Sequence, residues 1–293
     1  MKKIVILLIM TSILIYIFTI PITEKDTRTA SLATKILREP KSYELHHSFT
    51  ESILKQQLKH KIEHLTLQQF DTPREWGLHV TGVKTQLSTE KKLVALTFDA
   101  CGSTSGSQVD HKLINYLIDN NLPATLFINE RWIKENQSTF YSLASNDLFD
   151  IQNHGTDHQP LSINGNSAYG IDGTNSVEEV IQEVMSNYQT IYQLTGKKPK
   201  YFRSGTAHYD EKAVSIVNKL GIEVVNFDIN GDGGATYSAE QVKQSLLQVE
   251  PGSIALLHMN QPGSGTAEGV AMAVPILQEK GYTFVNLANQ KLK

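Results

Sequence analysis

The sequence predicts an α/β fold built on a parallel, barrel-like sheet, and three observations favour it. Short apolar runs alternate with amphipathic stretches from residue 91 onward, and such alternation implies right-handed crossovers between parallel strands. The first run is not followed by Gly-x-Gly-x-x-Gly, which favours a barrel over a dinucleotide-binding open sheet. Most of the runs also end in polar or ionisable residues. The runs are residues 93–98, 124–128, 149–152, 200–202, 222–227, 253–257 and 282–287.

The segments between these runs have the spacing of helices that bury one face. They are residues 110–121, 210–220, 238–248 and 267–280, together with a stripe formed by Val177, Val180, Ile181, Val184, Tyr188 and Ile191. A further helix is predicted within Ser48–Phe70, because Leu54, Leu58, Ile62 and Leu65 recur in steps of four, four and three.

The N-terminus has the pattern of a targeting segment. Lys2 and Lys3 precede an uncharged apolar run from Ile4 to Ile20, which is typical of a signal sequence or a membrane anchor. No small-x-small cleavage pattern follows directly, so we favour an uncleaved anchor with the rest of the chain facing outward. We therefore divide the chain into residues 1–23 (signal or anchor), 24–90 (a tether with a helix) and 91–293 (the catalytic domain).

The composition excludes two classes of protein. The formal net charge of -3 argues against a nucleic-acid partner, because nothing neutralises phosphates in bulk. A single cysteine, Cys101, excludes a disulfide framework.

Ionisable and amide side chains stand where the predicted strands end. In a parallel barrel these ends open onto one face, where catalytic groups collect. A ring that combines acids, imidazoles and a guanidinium is difficult to obtain by chance and predicts an active site there. Its members are Asp99, Asn129, Glu130, His154, Arg203, Asp228 and His258.

Individual members of this ring suggest particular roles. His154 and His158 are four residues apart, a spacing that lets two imidazoles bind one metal ion. His258 ends an apolar run and is a candidate general acid or base. Arg203 is too costly to bury unpaired, and Asp99 is the natural partner.

Five segments together resemble the polysaccharide deacetylases, the fourth family of carbohydrate esterases, whose catalytic unit is the NodB homology domain. They are TFDA (97–100), HGTDHQP (154–160), RSGTA (203–207), DINGD (228–232) and LLH (256–258), and the resemblance covers roughly residues 91–288. TFDA stands where the family has T-F-D-D, which suggests a subgroup. The resemblance implies an incomplete barrel of seven or eight parallel strands that removes acetyl groups from N- or O-acetylated glycans outside the cytoplasm.

The resemblance also implies roles for residues of this chain. A divalent metal, usually zinc, would be held by His154 and His158, and a backbone N–H near Thr206 would meet the acetyl carbonyl. Asp99 would take a proton from water, held by Arg203. His258 would protonate the leaving amine, held in turn by either Asp228 or Asp232.

The TFDA variant leaves one ligand open. The family's second aspartate is the third metal ligand, and Ala100 cannot coordinate a metal. We expect Asp99 itself or water to fill the position, with the Cys101 thiolate as the alternative. Strand alternation could also direct Cys101 away from His154 and His158 as a small buried hydrophobe.

Three functions remain open from the sequence. They are a metal-dependent glycan deacetylase acting on peptidoglycan or exopolysaccharide, a glycan-binding pseudoenzyme that has lost the metal, and a C–N hydrolase of small amides that works without metal.

Overall fold

The computed structural model describes residues 56–102 and 106–293. Its centre is a parallel sheet that curls into a half-barrel, with strand order β7-β5-β4-β3-β2-β9-β8 and β10 paired to the beginning of β2. Two further strands, β1 and β6, pair antiparallel with each other. The strands are β1 (Trp76–Gly77), β2 (Leu93–Ala100), β3 (Ala124–Ile128), β4 (Phe149–Asn153), β5 (Tyr201–Phe202), β6 (Tyr209–Asp210), β7 (Glu223–Val224), β8 (Ile229–Asn230), β9 (Ile254–His258) and β10 (Thr283–Val285).

The helices of the described residues connect these strands. They are α1 (56–67), α2 (His111–Asp119), α3 (Glu130–Glu135), α4 (Gln137–Ala144), α5 (Val177–Thr195), α6 (Glu211–Leu220), α7 (Ala239–Leu246) and α8 (Thr266–Glu279). Each predicted helix is present in the described residues, and Leu54 of the helix predicted within Ser48–Phe70 lies outside them. Helices α3 and α4 and strands β1, β6 and β8 were not predicted. Helix α3 and these three strands are too short for their apolar spacing to be distinctive.

Strand β2 separates two apolar layers. Side chains alternate between the faces of a strand, and Leu96, Phe98 and Ala100 pack into the large core between the sheet and its helices. Thr97 and Asp99 consequently face the concave side of the half-barrel. This alternation decides which residues at the end of β2 reach the candidate site.

The compact unit that contains the sheet begins at Lys61, about thirty residues before the predicted boundary at residue 91. Leu65 and Leu87 are buried in it. Residues 84–87 also hydrogen-bond to the sheet: the N–H of Lys84 donates to the carbonyl of Val224 at 2.8 Å, and that of Leu87 donates to Gly252 at 2.8 Å. The second half of the predicted tether is thus part of the folded unit.

The predicted signal or anchor, residues 1–23, lies outside the described residues. Among the helices at 56–102 and 106–293, none has the length and apolar character needed to cross a membrane.

Candidate active site

The register of the sheet brings Asp99 and His258 together. These two residues are ladder partners on the neighbouring strands β2 and β9. Arg203, directly after β5, reaches across to the same place, and its Nη1 donates to Asp99 Oδ1 at 2.7 Å. Arg203 therefore makes the contact with Asp99 that was predicted because an unpaired guanidinium is costly to bury.

The guanidinium of Arg203 is fully buried and has a partner on each nitrogen. Besides Asp99, Nη1 donates to Thr97 Oγ1 at 3.0 Å, Nε to the carbonyl of Val225 at 3.2 Å and Nη2 to that of Asn226 at 3.0 Å. Its centre also lies 4.2 Å from the centroid of the Phe127 ring. These contacts hold Asp99 Oδ1 in one position and leave Oδ2 toward His154, whose Nε2 is 3.6 Å away.

The ring of His154 is buried and has a defined tautomer. Its Nδ1 lies 2.9 Å from the carbonyl oxygen of Arg203, which can only accept, so the proton is on Nδ1. The unprotonated Nε2 then faces Cys101 Sγ at 3.8 Å. Burial lowers the pKa of His154, which further favours the neutral ring that metal ions bind.

His158 completes a pair of imidazoles. Its ring lies edge-on to that of His154, with the centroids 5.0 Å apart. Its backbone has φ of +61°, in the left-handed region that few non-glycine residues adopt. Its Nε2 is buried and has no hydrogen-bond partner among the described residues. An orphaned ring nitrogen beside a second imidazole is a feature that a metal ion would satisfy.

Cys101 is the third donor of this cluster. The ligand atoms of Cys101, His154 and His158 all lie within 4.8 Å of one another. Burial by itself would raise the pKa of the thiol, but the imidazoles of His158 and His258 outweigh it and lower the pKa to about 7. The thiolate that binds zinc is therefore accessible at neutral pH.

The side chain of Ala100 does not face the histidines, whereas that of Cys101 does. The Ala100 side chain is buried in the apolar layer between sheet and helices, so a carboxylate there would be buried in the core. Cys101 follows on the opposite side and reaches His154. Asp99 Oδ1 is engaged by Arg203, whereas Asp99 Oδ2 lies 3.6 Å from His154 Nε2, so Asp99 also adjoins the cluster.

The three donors suit a zinc-like ion. Sulfur and imidazole nitrogen are its usual ligands, and catalytic sites have three protein ligands with one open position. The residues present therefore fit a divalent metal.

His258 and Asp232 form the second charged pair of the site. His258 Nδ1 donates to Asp232 Oδ1 at 2.9 Å, and the backbone N–H of His258 donates to Oδ2 at 2.7 Å. Thr266 Oγ1 donates to the same Oδ2 at 2.9 Å. Burial opposes charge on His258, but the Asp232 carboxylate outweighs it and holds the pKa of the ring well above its usual value. The same pairing lowers the pKa of Asp232 against its burial.

Asp228 is not the partner of His258, so the predicted alternative in which Asp228 holds His258 is wrong. Its carboxylate accepts from the N–H of Ile254 at 2.7 Å and from Ser253 Oγ at 2.7 Å, at the beginning of β9. His258 is at the other end of that strand, about 13 Å away at 3.3 Å per residue. The sequence predicts one strand over residues 222–227 with Asp228 at its end, whereas β7 ends at Val224, so Asp228 does not follow a strand directly.

Thr206 lies in the loop that follows β5. The neighbouring Gly205 packs directly on His158, and a Cβ at Gly205 would overlap the His158 backbone. Thr206 Oγ1 is buried and has no hydrogen-bond partner within the described part of the chain. Through Gly205 the loop adjoins His158, and the contact of a backbone N–H near Thr206 with a substrate carbonyl stays a prediction.

Glu183 was not found from the sequence, and it shapes the histidine loop. It is buried on α5, where its Oε2 accepts from the N–H of Asp157 at 2.8 Å and its Oε1 from that of Gln159 at 3.2 Å. Gly155, the second residue of HGTDHQP, leaves the space for this carboxylate, because a Cβ there would collide with Glu183 Oε1. Burial raises the pKa of Glu183 to about 7. In the sequence, Glu183 could have been recognised as an acidic residue on the buried, otherwise mostly apolar face of α5.

We expect Glu183→Ala to weaken metal binding by about 10- to 100-fold, the usual effect of removing a group that orients ligands. The reason is that two loop N–H groups, on either side of His158, lose their acceptor. Glu183→Gln retains one acceptor oxygen and should lose less. The measurement is zinc affinity by competition with a chromogenic chelator. Glu178→Ala, an exposed acid on the same helix, is the control, and equal affinity in Glu183→Ala and this control would contradict the assignment.

Comparison with known proteins agrees with this geometry. Residues 86–225 match the family model described as polysaccharide deacetylase. The match supports the polysaccharide deacetylase family. A bifunctional xylanase/deacetylase from Pseudobutyrivibrio xylanivorans is 23% identical over 209 residues, which are 71% of this chain and 31% of that protein. The chain thus spans about a third of the length of this curated relative.

Solved structures share the fold. The Bc1960 peptidoglycan N-acetylglucosamine deacetylase has a TM-score of 0.61 and 21% identity, covering 72% of this chain and 92% of that one. PdaA of Bacillus subtilis, a family 4 carbohydrate esterase, has a TM-score of 0.58 and 22% identity, covering 70% and 83%. A pseudoenzyme of carbohydrate esterase family 4 from Bacillus anthracis has a TM-score of 0.58 and 21% identity, covering 69% and 66%. The polysaccharide deacetylase fold therefore includes both active and inactive proteins.

Proposed function

We propose that this chain is a metal-dependent hydrolase that removes acetyl groups from N-acetylated glycans. Three metal donors, Cys101, His154 and His158, lie beside two charged pairs. Asp99, paired with Arg203, is the proposed base, and His258, paired with Asp232, is the proposed acid. This juxtaposition is the observation that carries the proposal. The polysaccharide deacetylase match supports the substrate class, and its neighbours include an enzyme named for peptidoglycan. Peptidoglycan and an exopolysaccharide are the two candidate glycans.

When bound, the metal would supply Lewis acidity toward a water and the acetyl carbonyl. Asp99 Oδ2 accepts the proton of the attacking water, since Oδ1 is held by Arg203. His258, kept protonated by Asp232, gives its proton to the amine nitrogen as the C–N bond breaks. The products are acetate and the free amino sugar. Thr206 helps to position the acetyl oxygen.

We also propose that the protein acts outside the cytoplasm. The support is the apolar run from Ile4 to Ile20 behind two lysines, which has the pattern of a membrane anchor. A phosphatase reporter that is active only after export, fused behind residue 47, should be active, and deletion of residues 2–23 should abolish its activity.

One observation favours a second candidate, an amide hydrolase that uses Cys101 as nucleophile without metal. His258 helps to lower the pKa of the Cys101 thiol, and Asp232 orients His258, which is the order of a nucleophile, its imidazole partner and an orienting acid. The sulfur would attack the acetyl carbonyl, and His258 would protonate the departing amine. Water would then hydrolyse the acetyl thioester to acetate and free thiol.

Substitution of Cys101 by aspartate distinguishes the two candidates, because aspartate can bind a metal but cannot form a thioester. For the metalloenzyme we expect Cys101→Asp to retain zinc and measurable deacetylation, and Cys101→Ser to lose at least 10-fold in zinc affinity. A chelator should abolish parental activity and added zinc restore it.

The opposite pattern identifies the cysteine enzyme: the chelator has no effect, both variants are inactive, and mass spectrometry detects an acetylated Cys101. A parent that binds zinc and glycan but releases no acetate would instead be a pseudoenzyme. Acetate release from an N-acetylglucosamine tetramer is the common assay.

A further inference from the structure

Three aromatic rings form an exposed cluster that the proposed chemistry does not use. The His208 ring lies 5.1 Å from that of Tyr169 in an edge-on arrangement and 5.8 Å from that of Trp76. Tyr169 is 79% exposed and Trp76 is 37% exposed, both unusually high for such large apolar groups. We refer to Trp76, Tyr169 and His208 as the aromatic platform.

Tyr169 is held in a costly conformation. Ala168 and Ile171 exchange both backbone hydrogen bonds, at 3.1 and 3.0 Å, so Tyr169 and Gly170 form a two-residue hairpin turn. Both turn residues have positive φ, +54° for Tyr169 and +75° for Gly170. Turns of this type favour Asn, Asp or Gly, and a bulky residue with positive φ there is unfavourable. A strained, exposed aromatic residue points to function rather than to folding.

The aromatic platform is attached directly to the candidate active site. His208 belongs to the loop whose Gly205 packs on His158, and its Nδ1 donates to the carbonyl of Thr206 at 2.8 Å. Gly205 and His208 are three steps apart along the chain, a span of at most about 11 Å. Leu161, three residues beyond His158, also donates its N–H to the carbonyl of His208 at 3.0 Å.

The size of the cluster indicates the kind of ligand. An aromatic side chain buries 150–250 Å² when fully covered, and two of these rings are partly covered already, so the platform offers less than the roughly 800 Å² of a stable protein interface. A sugar ring, by contrast, has an apolar face of C–H groups of about the area of one aromatic ring. Sugar hydroxyls can hydrogen-bond at the same time to the Tyr169 hydroxyl and the His208 ring.

We propose that the aromatic platform is a second sugar-binding subsite, which holds a pyranose ring neighbouring the one that is deacetylated. The inference rests on the proposed function and deepens it: Trp76, Tyr169 and His208 favour a substrate that has a second sugar beside the acetylated one. Tyr169 and Trp76 stack on the sugar, and His208 joins their rings to the loop of Thr206.

The test compares a β-1,4-linked N-acetylglucosamine tetramer with the monomer. We expect Tyr169→Gly to raise KM for the tetramer about 3- to 10-fold, the effect of losing one aromatic contact, with kcat unchanged. KM for the monomer should not change. Glycine suits the positive φ, so thermal stability should stay equal or rise, whereas a structural role for the ring would lower it. Tyr169→Phe should retain parental KM, and Trp76→Ala should resemble Tyr169→Gly.

Binding is measured separately from turnover by calorimetry on the full chain carrying His258→Ala, with Tyr141→Ala, another exposed tyrosine, as the control. Weaker tetramer binding in Tyr169→Gly alone would support the subsite. Unchanged binding in Tyr169→Gly, or no tetramer binding by the His258→Ala chain, would overturn it. Intact tetramer binding without acetate release by the parent would instead refute the deacetylase proposal and leave the subsite standing.

Discussion

Replacing His258 by asparagine is expected to lower kcat for acetate release by about 10²- to 10⁴-fold, the usual contribution of a placed general acid. Asparagine can still donate an N–H to Asp232 in the position of the ring Nδ1, so the buried carboxylate keeps a partner. What is lost is Nε2, the atom that delivers the proton to the leaving amine. His258→Ala should lose activity to the same extent and some stability as well, because it leaves Asp232 without its partner.

The measurement is initial-rate acetate release from the N-acetylglucosamine tetramer, with circular dichroism to verify folding. His111→Ala, which removes an exposed histidine at the start of α2, is the matched control. Zinc content should be unchanged in the His258 variants, since this residue is not one of the three donors. If His258→Asn retains more than about a tenth of parental kcat, His258 is not the acid.

Replacing Arg203 by methionine is expected to lower the free energy of unfolding by about 3–5 kcal/mol, the cost of breaking a buried ion pair. The side chains of Arg203 and Asp99 are 0% and 5% exposed, so Asp99 would keep a buried charge without its partner. Activity should also fall, because Asp99 loses the contact that fixes Oδ1. Urea unfolding followed by tryptophan fluorescence gives the free energy directly.

A double variant separates the ion pair from its packing. If the pair is the source of the loss, Arg203→Met combined with Asp99→Leu should be less destabilised than the sum of the two single variants. Arg74→Met, a substitution at an exposed arginine, serves as the control and should change stability by less than about 0.5 kcal/mol. A loss below 1 kcal/mol in Arg203→Met would show that water compensates Asp99 and that the pairing is unimportant for stability.

Much of this arrangement could be predicted because it follows from short-range patterns. The apolar runs and helical stripes lie within windows of about ten residues. They identify each strand of the half-barrel except the two-residue β8. The separate pair of β1 and β6 was not identified either. The strand ends then followed from topology, since parallel strands direct their carboxyl ends to one face. The contact between Arg203 and Asp99 followed from the cost of burying a lone charge.

The sequence by itself thus determined the fold class and which strand ends carry ionisable groups. The tertiary structure decided the choices among neighbours: Cys101 rather than Ala100 beside the histidines, and Asp232 rather than Asp228 at His258. Each choice depends on where a strand stops and which way its last side chains point, which no periodic pattern encodes. Glu183 and Tyr169 also required the structure, because Glu183 acts on residues that are distant in sequence and Tyr169 lies in a turn whose backbone conformation its side chain does not predict.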